Sequence, residues 1–190
     1  MLTLFDYLER LNSLLRSWQR DDAQLSQVPA VQLSALRYLS LCNAYSDTVM
    51  GVTEYLGLTK GTVSQSLKAL EERGWLVKEA DAADKRQVHL RPTAAGLQVL
   101  SQLAAVDALQ QAALALGPGF ADALSSQLGQ LLGQLQQQEK RSFGVCRSCR
   151  FHQQQHGAPF CGLTQQPLPL SAIELICREH QPAKSEESPE

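Results

Sequence analysis

The sulfur and imidazole side chains of this 190-residue chain crowd into one end. Cys146, Cys149, Cys161 and Cys177, four of the five cysteines, lie in the last 45 residues, together with His152, His156 and His180, three of the four histidines. Two thiolates separated by two residues converge on one ion within a single turn, and the later ligands can come from anywhere. The Cys-x2-Cys-x11-Cys-x15-Cys spacing therefore points to a metal. Zinc comes first, held by four thiolates or with His180 replacing Cys161, because Cys177 and His180 at i, i+3 would share one helix face. An iron–sulfur cluster is the alternative, since four cysteines hold it at irregular spacings. Metal-free redox thiols come third. Ser171-Ala-Ile-Glu174 has the form of a capping box, which puts Cys177 on a short helix with Ile173 and Ile176. Phe151, Phe160 and Leu163 would supply an apolar shell. His152 and His156 read as exposed side chains, and the isolated Cys42 as a small buried hydrophobe. A thioredoxin-like activity would need Cys-x2-Cys at a helix start within a βαβ pattern. No strand is expected before Cys146, so an enzyme is not expected.

Composition narrows the setting of this chemistry. The length allows one elaborated domain or a domain with a small appendage. With 17 basic and 19 acidic residues the formal charge is −2, so nucleic acid could be bound only through a local basic surface. No run approaches the apolar length of a membrane span, and Asp6 and Glu9 stand where a secretory signal would be basic and then apolar. A cytoplasmic location is expected. There disulfides have little use, which again favours metal or redox roles for the cysteines.

The elements that must position these residues follow from periodicity. Leu4, Leu8, Leu11, Leu15 and Trp18 stack on one helix face, and Leu33, Leu36, Leu39 and Cys42 on another. Thr48–Leu56 and Lys60–Arg73 are two helical segments separated by Gly57-Leu58-Thr59. Gly57 can take the left-handed conformation that closes the first, and the Thr59 hydroxyl can cap the second. Trp75–Glu79 and Gln87–Arg91 then alternate as two strands around a polar loop, and Thr93 is an N-cap. From Pro92 to Gln138 the only charges are Asp107 and Asp122, and Gly117-Pro118-Gly119 divides the stretch into two helices. Leu124, Leu128, Leu131, Leu132 and Leu135 form a stripe that calls for a partner, most simply a second copy of the chain.

Thr48–Leu100 resembles the winged helix of the MarR family of bacterial transcriptional regulators, and the likeness extends loosely over residues 1–140. The residues that carry it are Leu56-Gly-Leu-Thr-Lys-Gly-Thr-Val-Ser-Gln-Ser-Leu-Lys-Ala-Leu-Glu-Glu-Arg-Gly-Trp75, the acidic-then-basic wing Asp81-Ala-Ala-Asp84-Lys-Arg86, and Leu90-Arg-Pro-Thr-Ala-Ala-Gly96. A recognition helix presents its first turns to base edges, and Lys60, Thr62, Ser64, Gln65 and Lys68 suit bases and phosphates. The resemblance assigns Arg86 to the minor groove, where narrow stretches attract a guanidinium, with Asp81 and Asp84 shaping the wing. Lys85 and Arg91 are phosphate neighbours in this reading. From Lys60 to Arg91 seven basic residues face five acidic ones, so each monomer should bind weakly and depend on a second.

The expected fold is mainly α with a small β-hairpin wing, a winged helix-turn-helix flanked by dimerisation helices. Its parts are N-terminal helices (1–45), the DNA-binding unit (46–92), C-terminal dimerisation helices (93–142), a Cys-rich metal module (143–182) and a disordered tail (183–190). The expected function is a dimeric DNA-binding transcriptional regulator, a repressor on a pseudo-palindromic operator. Its metal site either stabilises or senses redox or metal state by acting on the dimer helices. The alternatives are a regulator answering to a small-molecule effector, its metal purely structural, and a protein-interaction adaptor that has lost DNA binding.

Overall fold

A computed structural model describes residues 1–21, 25–82, 84–138 and 143–183. The expected tail from residue 184 onward lies outside the described residues. Five helices and a hairpin come first: α1 (Leu4–Asp21), α2 (Ala30–Leu41), α3 (Val49–Leu56), α4 (Lys60–Glu72), β1 (Leu76–Ala80), β2 (Val88–Pro92) and α5 (Ala94–Ser101). Two further helices follow, α6 (Ala104–Ala115) and α7 (Phe120–Gln138). Among the described residues no helix is long and apolar enough to cross a membrane.

The ends of α3 and α4 are fixed by local chemistry. The Thr48 hydroxyl accepts from the Gly51 amide and the Thr59 hydroxyl from the Thr62 amide. Such caps contribute about 1 kcal/mol each. Gly57 closes α3 at φ 63°, a left-handed conformation open to glycine at no steric cost. The two helices are thereby joined by a three-residue turn, and their apolar faces converge on α2 and the hairpin. Leu36, Tyr38, Val52, Val63, Leu67, Leu70, Leu76 and Leu90 are each less than 2% exposed and form one core.

The turn into α5 shows what the Thr-x-x-Gly start accomplishes. The Thr93 hydroxyl donates to the Gly74 carbonyl (2.7 Å) and accepts from the Gly96 amide, while the Thr93 amide donates to the Trp75 carbonyl (3.0 Å). Helix α5 is thus tied to the exit of α4, and Gly96 lies so close to the Trp75 carbonyl that a Cβ would collide with backbone.

The stretch after Pro92 departs from expectation. It forms three helices rather than two, because the chain also breaks at Gln102-Leu103, where Leu103 is extended (φ −66°, ψ 106°). Leu103 and Val99 pack there on Leu25, Val28 and Leu33, and this burial turns α6 away to lie along α1. No residue of α6 or α7 is buried within the chain. Leu4, Phe5, Leu8 and Leu11 of α1 and Leu124, Leu128, Leu132 and Leu135 of α7 are exposed.

Replacing Gly96 by Ala is expected to lower unfolding free energy by roughly 1–3 kcal/mol, the usual cost of overpacking. Urea denaturation measures it, and an unchanged midpoint would contradict the close approach described.

A basic wing and a four-cysteine pocket joined at one corner

The surface of α4 is divided between solvent and core. Lys60, Thr62, Ser64, Gln65 and Lys68 are exposed, while Val63, Ser66, Leu67 and Leu70 face the core. Thr62 shares a hydrogen bond with Thr59 (2.9 Å), and Lys68 lies 3.7 Å from Glu72. At the wing tip the Asp81 carboxylate accepts from the Asp84 amide (2.7 Å), and Asp84 accepts from the Arg86 amide and guanidinium (both 3.0 Å). These bonds hold the Asp84 carboxyl below its usual range. The turn is therefore built by the two aspartates named from sequence, and it presents an Arg86 side chain that is 91% exposed. Lys85 is exposed beside it. Arg91 lies further back, paired with Glu79 (2.7 Å) and 3.9 Å from Asp47.

The wing is clamped at its base by a residue that sequence reading passed over. His89, 7% exposed, places Nδ1 at 2.6 Å from Asp47 and Nε2 at 3.0 Å from Asp81. A ring nitrogen facing a carboxylate on each side favours the imidazolium, in which both nitrogens donate. The bond to Asp47, then that to Asp81, raises the His89 pKa above its ordinary value, against burial and Arg91. Burial raises Asp47 as well, opposed by His89 and Arg91. The neighbouring Leu90 amide donates to the Asp47 carbonyl (2.8 Å), so the segment before α3 holds the wing through both side chain and backbone.

The C-terminal segment is built of short strands: β3 (Gly144–Val145), β4 (His152–Gln155), β5 (Ala158–Cys161), β6 (Gln166–Pro167) and β7 (Ile176–Cys177). β4, β5 and β6 form one antiparallel sheet, and β3 pairs with β7. This differs from the sequence reading in two respects. A strand does precede Cys146, and Ser171–Glu174 belongs to a 3-10 turn, Leu170–Glu174, that ends before Cys177. Cys177 lies on β7 because Ile176 and Cys177 pair with Val145 and Gly144, an alternative that a single turn of helix does not match. Cys177 and His180 consequently share no helix face.

Cys146, Cys149, Cys161 and Cys177 nevertheless line one pocket, with Phe151, His152, Leu163 and Leu168 around them. His152 Nδ1 lies 3.7 Å from Cys146 Sγ, a neighbour that the sequence reading left on the surface. The four thiols have different surroundings. Burial, then the neighbouring thiols Cys149, Cys177 and Cys161, pushes Cys146 up to about 11. Burial also raises Cys177, against hydrogen bonds from the Asn43 side chain and the Glu179 amide. Cys161 feels burial too, but the Thr164 hydroxyl and the Thr164 and Leu163 amides bring it below the ordinary thiol value. The Gln181 amide donates to Cys149 Sγ at 3.4 Å. His180 lies outside this pocket, with Nε2 at 3.0 Å from the Ser148 hydroxyl and its ring packed on Gly144. Among the described residues no three His, Cys, Asp or Glu side chains form a group that would hold a single metal ion.

One wall of this pocket comes from the first half of the chain. Asn43 and Tyr45, between α2 and α3, line it, and Cys42, buried at the end of α2, bridges to Ile176. The Asn43 amide donates to the Ile176 carbonyl (2.9 Å), the Arg178 amide to the Ser46 hydroxyl (2.9 Å), and the Tyr45 hydroxyl to Gln166 (2.8 Å). The Arg178 guanidinium pairs with Glu54 of α3 at 3.0 Å. Phe143 packs edge-on against Tyr55 and Tyr38. The cysteine segment therefore docks on the entrance to the helix-turn-helix, whereas its sequence position pointed to the dimer helices.

His89 carries a pH signature. Because its folded pKa is raised, the clamp contributes fully below the unfolded value of about 6.5 and is lost as pH rises through the folded value. An NMR titration of the His89 ring should give a midpoint above 6.5. His89→Leu, which strands the buried Asp47, should cost about 3 kcal/mol of stability. A midpoint at or below that of a free imidazole would overturn the clamp.

Comparison with known proteins agrees with this geometry. Residues 26–87, roughly a third of the chain, match the model of the MarR family. Among solved structures, CouR from Rhodococcus jostii bound to p-coumaroyl-CoA aligns with a TM-score of 0.55 at 21% identity, covering 70% of this chain and 90% of that one. S. aureus MepR in its complex with DNA gives 0.54 at 18%, covering 70% and 99%. The reduced form of MarR from E. coli gives 0.53 at 21%, covering 70% and 98%. No curated protein sequence matches the chain. The family model thus covers α2 to β1 and the wing turn of a winged helix-turn-helix that β2 completes, set in a mainly helical chain that shares the fold of MarR-like proteins.

Proposed function

We propose that the chain is a DNA-binding transcriptional regulator of the MarR type and not an enzyme, a cytoplasmic homodimeric repressor carrying a metal held by Cys146, Cys149, Cys161 and Cys177. The metal is zinc or an iron–sulfur cluster. The observation that carries the DNA-binding reading is the exposed face of α4, with Lys60, Ser64, Gln65 and Lys68, beside a wing whose bond network presents Arg86 to solvent. Side chains of this length and charge along the exposed face of such a helix suit base edges and phosphates in the major groove, and a solvent-exposed guanidinium suits the minor groove. The DNA complex of S. aureus MepR, a structural neighbour, is consistent with that use of the fold.

The dimer rests on the uncovered leucines of α1 and α7. Apolar side chains repeated along one helix stripe are stabilised by burial against a like stripe. A second reading, control by a small-molecule effector, draws on an open cavity of about 470 Å³ between α1, α2, α3 and α6, lined by Leu15, Leu33, Arg37, Tyr55 and Leu109 among others. In that reading the metal only stabilises the fold.

Selection of duplexes from a random pool, followed by titration with salt, tests the first reading. Affinity should fall steeply with salt, and Lys60→Ala and Arg86→Ala should each weaken binding and reduce the salt slope by about two per dimer, about one for each subunit. Failure to select any duplex at low salt would indicate the adaptor instead, and binding that neither salt nor either variant alters would remove this surface as the DNA-reading one. Sedimentation should show a dimer that Leu128→Glu combined with Leu132→Glu converts to monomer. A monomeric parent chain would remove the dimer from the account.

A further inference from the structure

We infer that His89 is a positioning residue for the wing arginine: a ring that donates to Asp47 and Asp81 together holds Arg86 in its presented arrangement, and loss of one ring proton releases that hold. DNA affinity then falls as pH rises. The inference rests on the DNA-binding half of the function proposed above, and one of its two measurements involves no DNA, so the two can fail separately.

The first observation is a line of hydrogen bonds from the buried ring to the exposed guanidinium. His89 Nε2 stands 3.0 Å from Asp81 Oδ2, and Asp81 Oδ1 accepts the Asp84 amide at 2.7 Å. Asp84 Oδ1 accepts the Arg86 amide and Arg86 Nε (3.0 Å each), and Asp84 Oδ2 accepts the far end of the guanidinium at 3.2 Å. Turning the Asp81 carboxylate therefore acts on the backbone of Asp84, whose side chain grips Arg86. The turn itself is closed separately, by the Asp81 amide on the Gln87 carbonyl (3.0 Å) and the Gln87 amide on the Asp84 carbonyl (2.8 Å). The ring's proton thus bears on how Arg86 is held, not on whether the hairpin forms.

The second observation is the unequal burial of the two carboxylates. An imidazolium donates from both nitrogens, and the neutral ring from one. The Asp47 side chain is 6% exposed and that of Asp81 30%. A buried acceptor left facing a ring lone pair costs more than one that water reaches. The remaining proton accordingly stays toward Asp47, and the bond that breaks is the one to Asp81.

The third observation is the set of charges around the ring. Glu79 stands opposite His89 in the hairpin register and pairs with Arg91 at 2.7 Å, and Arg91 lies 3.9 Å from Asp47. At the end of α2, burial and then Asp47 push the Cys42 thiol up to about 12. Histidine is the side chain in this set whose ordinary titration lies near neutral pH. The bond to Asp47, then that to Asp81, raises the ring's pKa against burial and Arg91. The hold is therefore complete below about 6.5 and lost as pH rises through the folded value.

The test uses the full chain from about pH 6 to about pH 9 at constant ionic strength. In NMR spectra without DNA, the Asp84 amide and Arg86 Nε–H resonances should titrate with the same midpoint as the His89 ring. A ring that titrates while both resonances stay fixed would overturn the inference, and this needs no variant. Affinity for a selected duplex should fall about fivefold or more over the same range. In His89→Gln it should stay flat at the parent's high-pH level. The other three histidines lie in the cysteine segment, so a fall that persists in a folded His89→Gln comes from elsewhere and would also overturn it, as would a flat parent profile. Absence of duplex binding at every pH would remove the DNA-binding reading, while the resonances still decide whether His89 holds Arg86.

Discussion

Five residues between α2 and α3, Asn43 to Asp47, hold both the wing and the cysteine segment. The Ser46 carbonyl accepts from the buried Tyr38 hydroxyl at 2.9 Å, which anchors the segment to the core. The Ser46 hydroxyl and the Asn43 backbone receive the cysteine segment, and Asp47 receives the wing. Gly51 of α3 approaches the Ser46 carbonyl so closely that no side chain fits between them. Ser46 is fully buried and Asp47 is 4% exposed. Buried polar groups that are fully hydrogen-bonded have few alternative arrangements, and a displacement of one must be shared by the others. A segment of this kind is stiff, and it joins two surfaces that lie far apart in sequence.

That joint organises the proposed functions. The proposed DNA-reading surface is only slightly basic, so its performance would depend on how the wing and α4 are held rather than on overall charge. The wing is held from Asp47 by the His89 clamp and a backbone hydrogen bond, and the clamp's other end, Asp81, also builds the wing turn. A change in the cysteine segment, which docks on the same corner, would need no direct contact with DNA to affect the wing. It needs only to favour one arrangement of the corner over another, which is the physical content of coupling between sites.

Much of the winged unit was legible in sequence because its signals are local. Gly57 and Thr59 mark the two helix ends, the alternation around residues 80–86 marks the hairpin, and Asp81 and Asp84 lie where the wing turn needs acceptors. The four cysteines were legible as a set, and they do line one pocket. What escaped depends on long-range contact. The break at Leu103 follows from its burial beside Leu25 and Leu33, which carries no local mark. Cys177 was read onto a helix because Ser171–Glu174 has capping chemistry, yet pairing with Gly144 and Val145 prevails. The docking of the cysteine segment on Asn43–Asp47 joins residues more than a hundred positions apart, and no spacing rule reaches that far. His89 could have been flagged as a titratable side chain in the wing's second strand, near two aspartates, although Asp47 was beyond any local pattern.

The central claim is that pocket and wing share one corner and are therefore energetically linked. Its most direct test is the affinity of the metal-loaded and metal-free chain for one selected duplex at one salt concentration, with unfolding monitored in both forms. The account predicts affinities that differ by about fivefold or more, with both forms folded. Equal affinities from two folded forms would contradict it.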